Sequence, residues 1–371
     1  MRPESLEFFK TLVEAPSPSG YEQPAQRVFR DYIAPFAQVK TDVMGNVIGL
    51  IRGGGDNLPR VMVVGHSDEI GFQVKYIDDN GFIYFAPIGG VDAHLTPGKR
   101  VRIHTAKGEV AGVIGKKPIH LMDEEDRRKV VRLDAQYIDI GAADKKEALE
   151  YVRVGDPVTF AAGFERLLGD RVACRAFDDK AGSFVVAEVL RAVAESGVKL
   201  PVDLYGVSSV QEEIGLRGGA TSAYSVNPHV GICVEVDFAT DQPDVEKKHN
   251  GEVKLGKGPI LPRGANINPP LFDLLSSTAE REAIAVQYTG IPRASGTDAN
   301  VMQISRGGVA TALVKLPLRY MHTPVEVISL SDLEQAVRLI VAERQSLVNR
   351  ISTIATSAQP IAIASVRLRS D

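Results

Sequence analysis

Five stretches of the chain gather side chains capable of acid–base or metal chemistry. In VVGHSDEIGF, His66 and Asp68 follow an apolar run. Residues two apart in an extended chain face the same way, so His66 could offer one ring nitrogen to a cation while Asp68 holds the other. Taken alone, the pair reads equally as a polar strand end. In RAFDDKAGSF, Asp178 and Asp179 precede an amphipathic stretch, where adjacent acids either cap a helix or bind a cation. In SSVQEEIGLRGG, Glu212 and Glu213 follow an apolar and small-residue run, and neighbouring carboxylates there repel unless a proton or a cation intervenes. Glu235 lies inside the apolar run GICVEV, a place where an unpaired carboxylate is costly and needs a partner. His322, in RYMHTPVEV, is the last histidine of the sequence and by itself reads as structural.

Together these residues say more than each does singly. Two divalent ions would bring four positive charges, Asp178, Glu213 and Glu235 three negative ones, and a bound hydroxide would neutralise the remainder. A pair of ions roughly 3.5–4 Å apart can polarise a carbonyl and activate the water that attacks it. Of the five other histidines, His94, His104 and His120 fall between residues 71 and 164 and His229 and His249 in turn-like contexts, and all five are expected to be structural or on the surface.

The elements that must position these groups follow from the pattern. Residues 4 to 14 and 22 to 36 read as two helices separated by the breaker PSPSG. Short β-type runs follow at 47 to 51 and 61 to 64, and the RGGGDN between them reads as a hairpin turn, since no GK[ST] follows to make a phosphate loop. From about Gly71 to Ala162 the texture is β only, with FQVKYID, GFIYFAP, KRVRIHT and GEVAGVIG divided by turns, and with one charged stretch, MDEEDRRKVVR, expected to be a solvated helix or loop. Beyond residue 165 strands and helices alternate again, and the last helix is expected to open with Ser331 and Glu334 as a capping box. This order predicts an α/β fold, one catalytic domain made of residues 1–70 and 165–371 with a β-rich domain, 71–164, inserted into it.

The 371 residues are 44% hydrophobic and 24% charged, which excludes disordered, collagenous and disulfide-scaffold classes. Lysine plus arginine number 43 against 47 acids, a net charge of -4, so no basic surplus invites nucleic acid. No run approaches the roughly 18 apolar residues that a membrane span needs, and charges interrupt the N-terminal stretch before it could act as a signal. Cys174 and Cys233 sit in apolar stretches without a CxxC pair and are expected to be buried, reduced thiols. A soluble, cytoplasmic protein without membrane or nucleic-acid partners is the expectation.

GHSDEIGF, FDDKAG, QEEIGLRGG, EVDFATD, SGTDA and RYMHTPVEV, in this order and at these separations, resemble the glutamyl aminopeptidase family, also called tetrahedral aminopeptidases. The likeness covers nearly the whole chain, including PGKRVRIHTAKGEVAGVIGKKPIH, YIDIGA and VRVGDPV in the inserted part. The resemblance implies a zinc-exopeptidase-like catalytic domain with a mixed sheet flanked by helices, and two divalent ions, zinc or cobalt, in each subunit. It implies Asp178 as the bridging ligand, His66 and Glu235 completing one metal, Glu213 and His322 the other, Glu212 as general base and Asp68 as the partner of His66. Asp179 follows the bridging aspartate as in the family. Many relatives carry Asp where this chain has Glu235, and the nearby Asp237 competes for that assignment.

The activity so implied is release of N-terminal residues from peptides, by a dodecamer built from dimers through the inserted β domain. SGTDA, Ser295 to Ala299, lines the cleft in relatives, although a tight-turn role suits it equally. Two other readings remain open: a related two-metal carboxypeptidase or deacylase, and a catalytically silent peptide-binding assembly protein.

Overall fold

The two N-terminal amphipathic stretches form α1 (Pro3–Glu14) and α2 (Gln23–Ile33). Each has a proline in its first turn, where a missing N–H costs little, and each buries an apolar face in the main core. The computed structural model describes residues 1–342. Three strands follow, β1 (Gln38–Thr41), β2 (Val47–Ile51) and β3 (Arg60–His66). Residues 71 to 160 supply six more, β4 (Gly71–Ile77), β5 (Ile83–Ile88), β6 (Arg100–Thr105), β7 (Gly108–Gly115), β8 (Tyr137–Asp139) and β9 (Pro157–Phe160), with the short helices α3 (Glu124–Arg127) and α4 (Lys145–Tyr151) between them. The chain then runs through β10 (Glu165–Arg166), β11 (Arg171–Cys174), α5 (Phe177–Glu195), β12 (Asp203–Ser209), α6 (Arg217–Val226), β13 (Val230–Phe238) and α7 (Lys247–Asn250). It continues with β14 (Ile260–Gly264), α8 (Pro269–Arg281), β15 (Gln287–Ile291), α9 (Asp298–Gln303), β16 (Ala310–Leu318) and β17 (Glu326–Ser329), and is helical over 330–342.

The architecture is the expected α/β fold with a mixed sheet. Eight strands run in the order β1-β2-β12-β3-β13-β16-β14-β15, with β12, β3, β13 and β16 mutually parallel at its centre. Those four are almost wholly buried because helices cover both faces, which is the reason their sequences lack strand alternation. α5 lies so close to β3 that a Cβ on Gly65 would meet the Gly182 carbonyl carbon at 2.5 Å; two glycines let the backbones touch. The β-only block closes into a barrel, β4-β5-β8-β7-β6-β9, around its own core of Phe72, Phe85, Ile103, Ile138 and Phe160. MDEEDRRKVVR is exposed over most of its length and contains the four-residue α3.

Two local expectations fail. β2 and β3 do not form a hairpin, because β12 lies between them, antiparallel to β2 and parallel to β3. The glycines of RGGGDN instead pack on the segment before β12, Gly53 and Gly54 donating their N–H groups to the Asp203 carboxylate and the Leu200 carbonyl. The last helix also lacks the predicted capping box. Asp170, from before β11, accepts the N–H of Ser331 and the hydroxyl of Ser329, while Glu334 pairs with the Met1 ammonium. A tertiary carboxylate thus takes over the local cap. The rest of that stretch, from residue 343, lies outside the described residues.

Candidate metal centre

The predicted residues come from five segments that meet at the carboxyl ends of the central parallel strands, where open α/β sheets gather their ligands. His66 ends β3, Glu235 lies in the second half of β13, Glu212 and Glu213 follow β12, His322 follows β16, and Asp178 stands at the start of α5. The Asp178 carboxylate divides between the two imidazoles: Oδ1 lies 3.3 Å from His66 Nε2 and Oδ2 3.3 Å from His322 Nε2. His66 Nε2 is also 3.6 Å from Glu235 Oε1 and 3.8 Å from Glu212 Oε2, and His322 Nε2 is 3.3 Å from Glu213 Oε1.

Asp179 joins His66 and Glu235 in one compact group of oxygen and nitrogen atoms, while Asp178, Glu213 and His322 form another. Its oxygens are already engaged, Oδ2 accepting the His66 N–H at 3.2 Å and Oδ1 the Gly182 N–H at 3.0 Å. Asp179 therefore caps α5, whereas Asp178 faces both rings. Asp237 turns away to the Lys315 ammonium at 2.9 Å, leaving Glu235 as the β13 acid that faces His66.

The imidazole tautomers follow from backbone carbonyls. His66 Nδ1 lies 3.1 Å from the Asp68 carbonyl and His322 Nδ1 3.0 Å from the Gly90 carbonyl. A carbonyl only accepts, so both Nδ1 atoms carry protons and each Nε2 presents its lone pair to carboxylates unless it binds a proton or a cation. The Asp68 side chain stands beside the His66 ring and also holds the loop after β12. Its Oδ1 is 3.5 Å from His66 Nδ1, and its two oxygens accept the N–H groups of Glu212 and Glu213 at 3.0 and 3.1 Å. The Ser19 hydroxyl adds a third bond at 2.6 Å.

Electrostatics point the same way. Burial pushes Glu212 up to about 10 and Glu213 up to about 7, and raises Glu235 as well. Burial opposes the charge of Asp178 too, but hydrogen bonds from His322 and His66 outweigh it and hold this acid below its ordinary value. His66 is raised despite its burial by Glu235, Glu212 and Asp178, and His322 rises to about 11 beside Asp178 and Glu213. The cluster thus demands positive charge, and the buried Glu213 Oε1 makes no hydrogen bond. An oxygen- and imidazole-rich donor set of this kind fits divalent ions.

The cluster opens on a cleft of about 380 Å³ whose outer wall includes Leu216, Phe238, Thr297, Lys315 and Met321. Comparison with known proteins shows the family. Residues 45–339 match the M42 glutamyl aminopeptidase family. The chain belongs to that family. It is 39% identical to the lysyl aminopeptidase of Pyrococcus furiosus over 345 residues, 92% of this chain and 97% of that one. The TET aminopeptidase of the marine sediment archaeon Thaumarchaeota archaeon SCGC AB-539-E09 superposes with a TM-score of 0.90 at 35% identity, covering 95% of this chain and all of the other. PhTET1-12s, solved as a dodecamer, superposes at 0.81 with 32% identity over 93% of this chain and 99% of its own. This M42 peptidase is accordingly a metal-dependent aminopeptidase, a peptide hydrolase using divalent metal.

Several supporting residues were not foreseen. Gly90, from the barrel, holds His322 through its carbonyl, and a backbone carbonyl leaves no mark in a sequence. PSPSG, read as a breaker, sends Ser19 to Asp68 and the Ser17 N–H to Glu69. Glu69 accepts from the fully buried Lys180, which also donates to the Ala15 carbonyl at the end of α1. The motifs EIG and DDKAG contained both residues, but only their charge in apolar surroundings hinted at a pair. Asp298 of SGTDA is buried beneath the site and accepts from Ser209, while Thr297 and Gly296 line the cleft. Cys174 and Cys233 are buried and unpaired. Among the described residues no helix is long and apolar enough to cross a membrane.

Proposed function

We propose that this M42 peptidase releases N-terminal residues from peptides at a centre of two divalent ions, zinc or cobalt. In this reading Asp178 is shared, His66 and Glu235 complete one site, Glu213 and His322 the other, and Glu212 is the general base. The observation that carries it is the division of the Asp178 carboxylate between the two Nε2 atoms, each 3.3 Å away, with a further carboxylate beside each ring. When bound, the ions would polarise the scissile carbonyl and lower the pKa of water.

The chain's own residues do the rest. Glu212 lines the cleft and makes no side-chain hydrogen bond among the described residues, so its carboxylate is free to take a proton from the attacking water and return it to the leaving amine. Asp68 fixes the neighbouring peptides of Glu212 and Glu213, aligning the base with its metal-binding neighbour. The Nδ1 contacts of His66 and His322 keep both Nε2 atoms available. The site's demand for positive charge suits the free ammonium end of a peptide as well as the ions.

The reading extends to a homo-oligomer, a dodecamer built from dimers through the inserted barrel of residues 71–164. PhTET1-12s, solved as a dodecamer, supports this by its likeness over nearly the full chain. We also place the enzyme in the cytoplasm, where reducing conditions suit its two buried, unpaired thiols. The deciding experiment strips the metal with a chelator and restores zinc or cobalt. Hydrolysis of a free-amino peptide should vanish and return, while its N-acetylated counterpart stays intact throughout; cleavage of the acetylated peptide would favour a deacylase or endopeptidase instead.

A further inference from the structure

We propose that Glu326 is a positioning residue that sets the spacing between the two halves of the centre by holding the backbones of Asp178 and His322 at once. The inference rests on the two-metal reading above. Glu326 opens β17, paired in register with Cys174 of β11, and is only 2% exposed. Its Oε2 accepts the Asp178 N–H at 3.1 Å and its Oε1 accepts the His322 N–H at 2.9 Å. The side chains carried by those two backbones meet at 3.3 Å. One carboxylate therefore bridges the peptide groups of the shared acid and of a histidine 144 positions away (322 − 178).

The loop that carries His322 needs such a hold. Tyr320 and His322 have φ of 61° and 60°, in the left-handed region that non-glycine residues keep only when their surroundings over-determine it. Reciprocal hydrogen bonds between Arg319 and Val327 close the base of the loop, and the Glu326 bond fixes its interior. No lysine or arginine among the described residues pairs with Glu326. A buried acid that lacks a cationic partner is costly to retain. Both of its oxygens serve ligand backbones, and the strand pairing of β11 with β17 is made by main-chain groups and does not need the side chain. These contacts thus assign the residue to the centre and not to the strand.

Glu326→Gln keeps length and volume but turns an –NH₂ toward one of the two N–H donors; Glu326→Asp keeps the charge but is one methylene short of spanning both. Zinc affinity is read by competition of metal-stripped protein with a chromogenic chelator, beside circular dichroism and thermal melting of the metal-free forms. Both variants should bind zinc about 10–100-fold more weakly than the unaltered chain, with metal-free spectra and melting unchanged and with activity returning at high zinc. Unchanged zinc affinity in both variants overturns the inference, as does a metal-free form that is already unfolded, which would make Glu326 a structural residue. Failure of the unaltered chain to bind two equivalents of zinc defeats the two-metal reading itself.

Discussion

Replacing Glu212 by glutamine isolates proton transfer from every other contribution of the site. The side chain lines the cleft, and the hydrogen bonds described for this residue are made by its main chain, the N–H donating to Asp68 at 3.0 Å and the carbonyl accepting from Gly215 and Leu216 at 2.9 Å. The isosteric amide therefore breaks no hydrogen bond described for this residue. Burial, together with the acid neighbours Glu235, Asp298 and Asp178, already disfavours a charge at this position when metal is absent, so the neutral amide leaves the metal-free fold about as stable. Loss of a positioned general base costs about 10²–10⁴-fold in rate, equivalent to roughly 2.7–5.4 kcal/mol on the barrier. The assay measures kcat on a chromogenic amino-acid amide, with metal content determined on the same samples. Full metal occupancy with kcat reduced by that factor is the expected result. A variant that retains two metals and turns over within about threefold of the unaltered chain would refute the base assignment.

Further expectations concern ligands, packing and pH. His66→Ala removes the ring that faces Asp178 and Glu235, so metal content should drop and excess zinc should restore little activity; full metal content by elemental analysis would contradict the ligand set. Gly65→Ala would press a methyl group against the Gly182 backbone at 2.5 Å, costing about 1–3 kcal/mol by overpacking, measurable as a lowered melting temperature. Glu188, away from the centre, is opposed by its burial, but hydrogen bonds from Arg191, Tyr32 and Ser5 outweigh this and hold it below its ordinary value. A depressed acid stabilises the fold above the ordinary glutamate pKa and loses that contribution as pH falls through the depressed one. The melting-temperature gap between the unaltered chain and Glu188→Gln should therefore be full at neutral pH and close in acid; a gap that persists at the lowest pH would exclude linkage through this carboxyl.

Much of the centre was legible because chemistry constrains residue type more tightly than fold does. Acids in apolar surroundings stand out because burial penalises them, as Glu235 did, whereas His66 and His322 gained meaning only alongside the acids of the other segments. Legible too were the barrel strands and α1, α2 and α5, whose periodicity is local. What failed was long-range. The insertion of β12 between β2 and β3 depends on which strand reaches the gap, and turn residues do not encode that. The cap of the last helix came from Asp170, more than 150 positions upstream of the residues it serves, beyond the reach of any local pattern.

The sequence by itself determined which groups could bind metal, that their charge together with a bound hydroxide would balance two divalent ions, and which family they resemble. Only the tertiary structure decided which oxygen faces which ring. Asp178 and Asp179 are adjacent and chemically identical, yet one looks toward both imidazoles and the other toward the α5 backbone. Glu235 and Asp237 lie on one strand, and Lys315 on the neighbouring strand draws Asp237 aside. Direction is the difference: composition fixes charge and donor type, but a lone pair acquires a partner only when the packing of distant segments aims it.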